Sequence, residues 1–183
     1  MVTLSPEERS ALLSRARAAA GRALGLSQTR PLPLASERLR EPGAVHVAWK
    51  REGRLRGTAG SVEPHACLVE AAEAEAVVAL LKDPRFPPCS QRDFPRLTLE
   101  ISVIGPLEAV TAPSEIEIGR HGVAIRKGAR RSYLLPEAPL AWGWDAERLL
   151  EQLCLKAGLP GTGWREGAAA VYRFEAETFD DRT

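Results

Sequence analysis

Between residues 97 and 104 apolar and polar side chains alternate without a break: Leu97, Leu99, Ile101 and Val103 fall on one face, Thr98, Glu100 and Ser102 on the other. That period of two describes a strand with one buried face, and a helix would scatter the same residues around its axis. The chain must therefore build a sheet with a core against one side. Other segments repeat the pattern. Val45, Val47 and Trp49 alternate with Ala44, His46 and Ala48, and Arg51-Glu52-Gly53 supplies a turn into a second strand beginning near Arg54. Residues 123–127 and 130–135 suggest another hairpin around Gly128, and Ala170, Tyr172, Phe174 and Ala176 alternate in a closing strand.

Helical segments separate these hairpins. Ser5-Pro6-Glu7-Glu8 is a strong helix start, with Ser5 as cap, Pro6 at the first helical position and Glu8 closing a capping box; Gly25 is the stop. Between them Leu13, Ala16, Ala20 and Leu24 form a narrow apolar stripe. Residues 27–43, with Pro31, Pro33 and Pro42, read as an extended connector. The spacing of Val69, Ala72, Ala76, Ala79 and Leu80 predicts a helix over 64–82, ended by Asp83-Pro84. Asp145 caps a last helix with Leu149, Leu150, Leu153 and Cys154 inward, terminated by Gly158 and Pro160. Hairpins separated by single helices, without regular β-α-β alternation, predict an α+β fold with a largely antiparallel sheet. Residues 5–25 and 64–82 are candidates for a smaller helical lobe.

At 183 residues the chain has room for one domain, or one domain with a small second lobe. The formal net charge is only +1, yet residues 1–60 carry 11 basic and 5 acidic groups, whereas the rest carries 14 and 19. A basic beginning admits an anionic partner, but no run of five like charges occurs, so interspersed surface charge is the simpler reading. Cys67, Cys89 and Cys154 are odd in number and never in a C-x-x-C pair, which argues against a disulfide framework and a zinc knuckle. Glu7, Glu8 and Arg9 stand where a signal peptide would be apolar, and no stretch approaches 18 apolar residues. A cytoplasmic location, no membrane, no metal and no cofactor are expected.

The motif chemistry is sparse. Leu55-Arg56-Gly57-Thr58-Ala59-Gly60-Ser61 reads as a glycine-bearing loop that could present backbone N–H groups and an arginine to an anion. It lacks the lysine of a phosphate-binding P-loop and the third glycine of a dinucleotide fingerprint. The structural alternative is that Gly57 and Gly60 provide positive φ or close contact. With only ten aromatic residues, basic and aromatic side chains do not interleave as on a nucleic-acid stacking surface. His46, His65 and His121 are too dispersed for a ligand set, Cys89 is a candidate exposed thiol, and Glu100 and Ser102 fit a solvated sheet face as well as a cleft.

Successive blocks do resemble a known family. Arg54-Leu55-Arg56-Gly57-Thr58-Ala59-Gly60-Ser61, Asp83-Pro84-Arg85-Phe86-Pro87-Pro88, Leu99-Glu100-Ile101-Ser102-Val103-Ile104 and Gly119-Arg120-His121-Gly122-Val123 look like blocks of the AMMECR-type domain. The family is also called AmmeMemoRadiSam system protein A. Leu135-Pro136, Gly143-Trp144-Asp145, Cys154-Leu155-Lys156-Ala157-Gly158-Leu159-Pro160, Trp164 and Phe174-Glu175-Ala176-Glu177 continue the series in order. The resemblance implies a single domain over 1–183, with a larger antiparallel-sheet lobe, a smaller helical lobe and a cleft between them. It also implies an accessory role, with a Memo-like protein and a radical S-adenosylmethionine enzyme as partners in modification or redox chemistry. The family's molecular activity is not established.

Two departures stand out. The family loop usually reads Leu-Arg-Gly-Cys-Ile-Gly, and here Thr58 and Ala59 replace the cysteine and isoleucine; a hydroxyl is far less acidic than a thiol. Around Glu137 the sequence also leaves the family pattern. The favoured reading is an accessory component binding a small anionic ligand or a partner through Arg56, Gly57, Thr58, Gly60, Arg85, Glu100 and His121. One alternative is a stand-alone enzyme with Glu100 as acid or base and His121 as the group titrating near neutrality. The other, less favoured, is nucleic-acid binding through the basic first 60 residues.

Overall fold

In the computed structural model, residues 3–26, 30–34 and 36–182 are described. Ser27, Gln28, Thr29 and Ala35 of the predicted connector lie outside them. The chain divides into two compact units, one running through Ile104 and resuming at Glu177, the other spanning Gly105–Ala176.

The first unit is a five-stranded sheet covered by two helices. Strand order is β2-β1-β4-β9, with β3 also on β1. The strands are β1 (Pro42–Arg51), β2 (Arg54–Gly60), β3 (Ala66–Cys67), β4 (Thr98–Ile104) and β9 (Ala176–Asp180). The β1–β2 connection is a two-residue turn in which Glu52 and Gly53 both have positive φ, 52° and 78°, matching the right-handed twist of the paired strands. Val45, Val47, Trp49, Leu99 and Ile101 are wholly buried on the helix-facing side. Trp49 anchors that core: its indole N–H donates to the Ala76 carbonyl at 2.9 Å, and its ring centroid lies 5.4 Å from that of Phe94.

Helix α1 (Pro6–Ala23) begins with the predicted capping box: Ser5 Oγ accepts from the Glu8 N–H, and the Glu8 carboxylate accepts from the Ser5 N–H. Replacing Ser5 with alanine is expected to cost about 1 kcal/mol, checked by urea unfolding; no change would show that the cap is dispensable. The buried stripe is rotated from the sequence reading. Leu12, Ala16, Ala19 and Ala20 are buried, whereas Leu13 and Leu24 are only partly so. Helix α2 (Leu68–Leu81) starts four residues later than predicted, because Ala66 and Cys67 pair with Gly43 and Pro42. Residues 5–25 and 64–82 thus carry helices that share a unit with the sheet and pack on it.

The second unit is a four-stranded antiparallel sheet, order β5-β8-β6-β7, built from β5 (Glu108–Val110), β6 (Gly122–Lys127), β7 (Arg130–Leu134) and β8 (Ala170–Phe174). Helix α4 (Ala146–Lys156), capped by Asp145, lays Leu149, Leu150, Leu153 and Cys154 against Val123, Ile125 and Val171. A short α3 (Ala138–Trp142) lies in the region around Glu137. The predicted closing strand is two strands: Glu175 separates β8 from β9, and they belong to different sheets. The α+β class with antiparallel sheets holds.

Candidate functional site

The segment read as a glycine loop, residues 55–61, is mostly strand: β2 runs Arg54–Gly60 along the sheet edge. Its register with β1 passes from Lys50↔Leu55 to Trp49↔Gly57, so Arg56 is an extra residue at a bulge. A bulge bends the strand and re-aims the side chain it carries. The Arg56 guanidinium accordingly reaches toward the segment after α2, where its Nη2 donates to the Pro87 carbonyl at 2.7 Å. It lies 5.8 Å from the Phe86 ring centroid, and Arg85 lies 5.6 Å from the same ring.

Gly57 has no positive φ; its glycine is required for space. A Cβ there would stand 2.0 Å from the Ala79 carbonyl oxygen, so the strand can seat on α2 only without a side chain. The sequence alternative of close contact is the correct one, and the contact is with a helix.

Asp83, which in the sequence reads only as a helix stop, sits under this surface. Its carboxylate is buried and accepts four hydrogen bonds, from the Thr58 N–H at 2.9 Å, the Arg85 N–H at 3.1 Å, Arg85 Nε at 3.0 Å and Arg85 Nη2 at 2.7 Å. The Arg85 side chain first, then the two backbone N–H groups, hold the carboxyl far below the usual range. Asp83 thereby ties the backbone of the edge strand to the loop bearing Arg85 and Phe86, an arrangement that also blocks edge pairing at Thr58.

The sheet face away from the helices carries His46, Lys50, Thr58, Glu100 and Ser102, as the pairs Ala48↔Thr58, Ala48↔Glu100 and His46↔Ser102 require. Thr58 Oγ1 lies 2.5 Å from His46 Nε2 and 2.8 Å from the Val47 carbonyl oxygen. Having one proton, the hydroxyl donates to only one of them. If it serves Val47, the imidazole donates to it. Glu100 accepts from Lys50 Nζ at 2.5 Å. Ser102 is buried and bonds the Thr178 hydroxyl at 2.8 Å, so of the two readings open for it the solvated face does not hold.

His121 belongs to the other unit, in the turn before β6. It is buried, its Nδ1 accepts from the Glu117 N–H at 3.0 Å, and burial, with Arg173 and Arg120 nearby, pushes its pKa down. Cys89 is buried rather than exposed, and burial raises its thiol pKa, which makes it a poor nucleophile. Of the predicted site residues, Thr58 and Arg85 meet at Asp83, and Arg56 and Arg85 meet at Phe86. Glu100 shares with the Thr58 side chain the sheet face away from the helices, and His121 is in a separate unit.

The early basic excess is largely consumed. Arg9, Arg15, Arg17, Arg22, Arg38, Arg40, Lys50 and Arg51 all form ion pairs, several with acids far along the chain such as Glu73, Glu177 and Asp181. Among the described residues there is no cluster of three or more potential metal ligands, and no helix is long and apolar enough to cross a membrane.

These features define an α+β protein of two antiparallel-sheet units with an arginine-flanked aromatic on a clamped sheet edge. The chain belongs to the AMMECR1 family, whose profile matches residues 13–179. It is 45% identical over 132 residues to protein TK0174 of Thermococcus kodakarensis, covering 69% of this chain and 64% of that one. It is 41% identical over 155 residues to protein MK0488 of Methanopyrus kandleri, covering 80% and 75%. The match thus spans slightly under two thirds of the Thermococcus protein. The crystal structure of the uncharacterized protein PH0010 from Pyrococcus horikoshii superposes with a TM-score of 0.86 at 35% identity, covering 93% of this chain and 90% of that one.

Proposed function

We propose that this protein is an accessory component that binds an anionic ligand or partner group, serving a radical S-adenosylmethionine-linked modification or redox system with a Memo-like protein. One observation supports the binding half of this reading: Arg56 and Arg85 bracket Phe86 at the sheet edge, and both are fixed from below, Arg85 by the Asp83 carboxylate and Arg56 by the Pro87 carbonyl. An aromatic ring with two planar guanidinium forks beside it suits a group with both charge and an apolar face. In this reading Arg56 and Arg85 make the contact, Thr58 and Gly60 belong to the strand that carries Arg56, and Gly57 acts by seating that strand on α2. The partner assignment rests on family resemblance.

The test is co-expression with the radical S-adenosylmethionine enzyme and the Memo-like protein of the same genome, followed by affinity capture at two salt concentrations. Retention is expected at low salt and to fall for Arg56→Ala. That substitution removes one carbonyl bond and a ring contact at the surface, so it should change unfolding free energy by no more than about 1 kcal/mol. Equal retention of wild type and Arg56→Ala would overturn the assignment of this surface. Capture of neither partner would overturn the accessory role.

A further inference from the structure

The Gly105–Ala176 unit holds a cavity of about 320 Å³ whose charged and polar walls are Glu108, Arg120, His121, Arg173 and Glu175. His121 is the informative wall. Its side chain belongs to a residue only 8% exposed, and because Nδ1 accepts from the Glu117 N–H, the proton of the neutral ring resides on Nε2. Among the described residues that Nε2–H has no acceptor. Nor is it among the side-chain atoms sealed from solvent without a partner, so this N–H opens on accessible space, where an acceptor in the cavity would take the place of water.

The surrounding charges select the occupant. Arg173 and Arg120 line the cavity together with the imidazole, and their guanidiniums bring N–H donors and positive charge to its wall. Arg173 directs Nε and Nη2 to a single oxygen of Glu108, a carboxylate that is 63% exposed. Arg120 is shared between Glu175 and Glu117, the latter equally exposed. Ion pairs with such solvated partners are worth little, so an incoming oxyanion can replace either glutamate at small cost.

We propose that this cavity is an oxyanion site, taking the carboxylate or phosphate group of a small molecule against His121 Nε2–H, with the guanidiniums of Arg173 and Arg120 alongside. The volume accommodates more than the anion itself and falls at the lower end of the range for small-molecule sites. The site shares no residue with the Arg56–Arg85 surface, so either can fail without the other.

The experiment is a titration of the full chain, labelled with 15N-histidine, with inorganic phosphate and separately with malonate, at ionic strength held constant with sodium chloride. His121 should show the Nε2–H tautomer and a saturable Nε2 shift with at least one of the two; which one saturates identifies phosphate or carboxylate as the recognised group. Arg173→Gln should weaken binding at least tenfold while His46 and His65 signals stay put. His121→Phe should abolish the anion-induced rise in melting temperature. If His121→Phe fails to fold, the wild-type titration with Arg173→Gln still decides. No saturable shift with either anion overturns the proposal, as does a melting-temperature rise that persists undiminished in Arg173→Gln.

Discussion

Gly57→Ala is expected to destabilise the protein by about 3 kcal/mol, toward the upper end of what overpacking costs, and to lower its melting temperature by about 6–12 °C. The added methyl would lie 2.0 Å from the Ala79 carbonyl oxygen and 3.1 Å from its carbon. Those atoms are helix backbone, so no rotamer change can relieve the contact. Either β2 lifts from α2 or the helix moves, and both disturb the layer in which Trp49 bonds the neighbouring turn at Ala76. Gly53→Ala is the control. It has positive φ but nothing within 4 Å of a Cβ, so it should cost only about 1–2 kcal/mol through backbone strain. Urea unfolding of both variants decides: a Gly57→Ala penalty no larger than that of Gly53→Ala would mean that the strand seats differently.

The same strand shows why the fold was more legible in the sequence than the site. Alternation identifies β1 and β4 and their buried faces, and Glu52-Gly53 locates the turn. A two-residue turn would then continue the pairing as Arg51↔Arg54 and Lys50↔Leu55, placing Thr58 opposite Val47 on the core face. The bulge at Arg56 shifts every later pair by one, and Thr58 instead opposes Ala48. A one-residue slip exchanges the two faces of a strand. Read without the bulge, the sequence leaves His46 an isolated histidine, although its ring lies 2.5 Å from the Thr58 hydroxyl. The helix-facing side had a signal that could have revealed the shift: only the bulged register puts Gly57 and Ala59, the smallest side chains available, under α2. Asp83 was hidden for a different reason. Asp-Pro after a helix is a sufficient local stop signal, and the carboxylate's four bonds come from Arg85 two residues on and from a strand 25 residues earlier. His121 stands between Gly119 and Gly122, which marks a turn locally, while its burial depends on long-range packing.

Asp83→Asn is the second large effect, expected to cost about 2–3 kcal/mol, because hydrogen bonds to a charged acceptor contribute more than neutral ones. The amide keeps one acceptor oxygen but turns an N–H₂ toward either the Arg85 fork or the Thr58 N–H, donor against donor. Arg85→Ala should cost less. Its side chain is 57% exposed, so much of its charge energy is screened, and the carboxylate would keep the Thr58 and Arg85 backbone donors. The pH dependence separates charge from shape. The folded-state pKa of Asp83 lies below its unfolded value, so its contribution is complete above about pH 5 and is lost progressively as pH falls below about 4. Wild type should therefore exceed Asp83→Asn in unfolding free energy by a constant margin from pH 5 to 7, and that margin should shrink toward pH 3. A gap that stays constant down to pH 3 would assign the loss to packing, and the strand-to-loop clamp would then not depend on the carboxylate's charge.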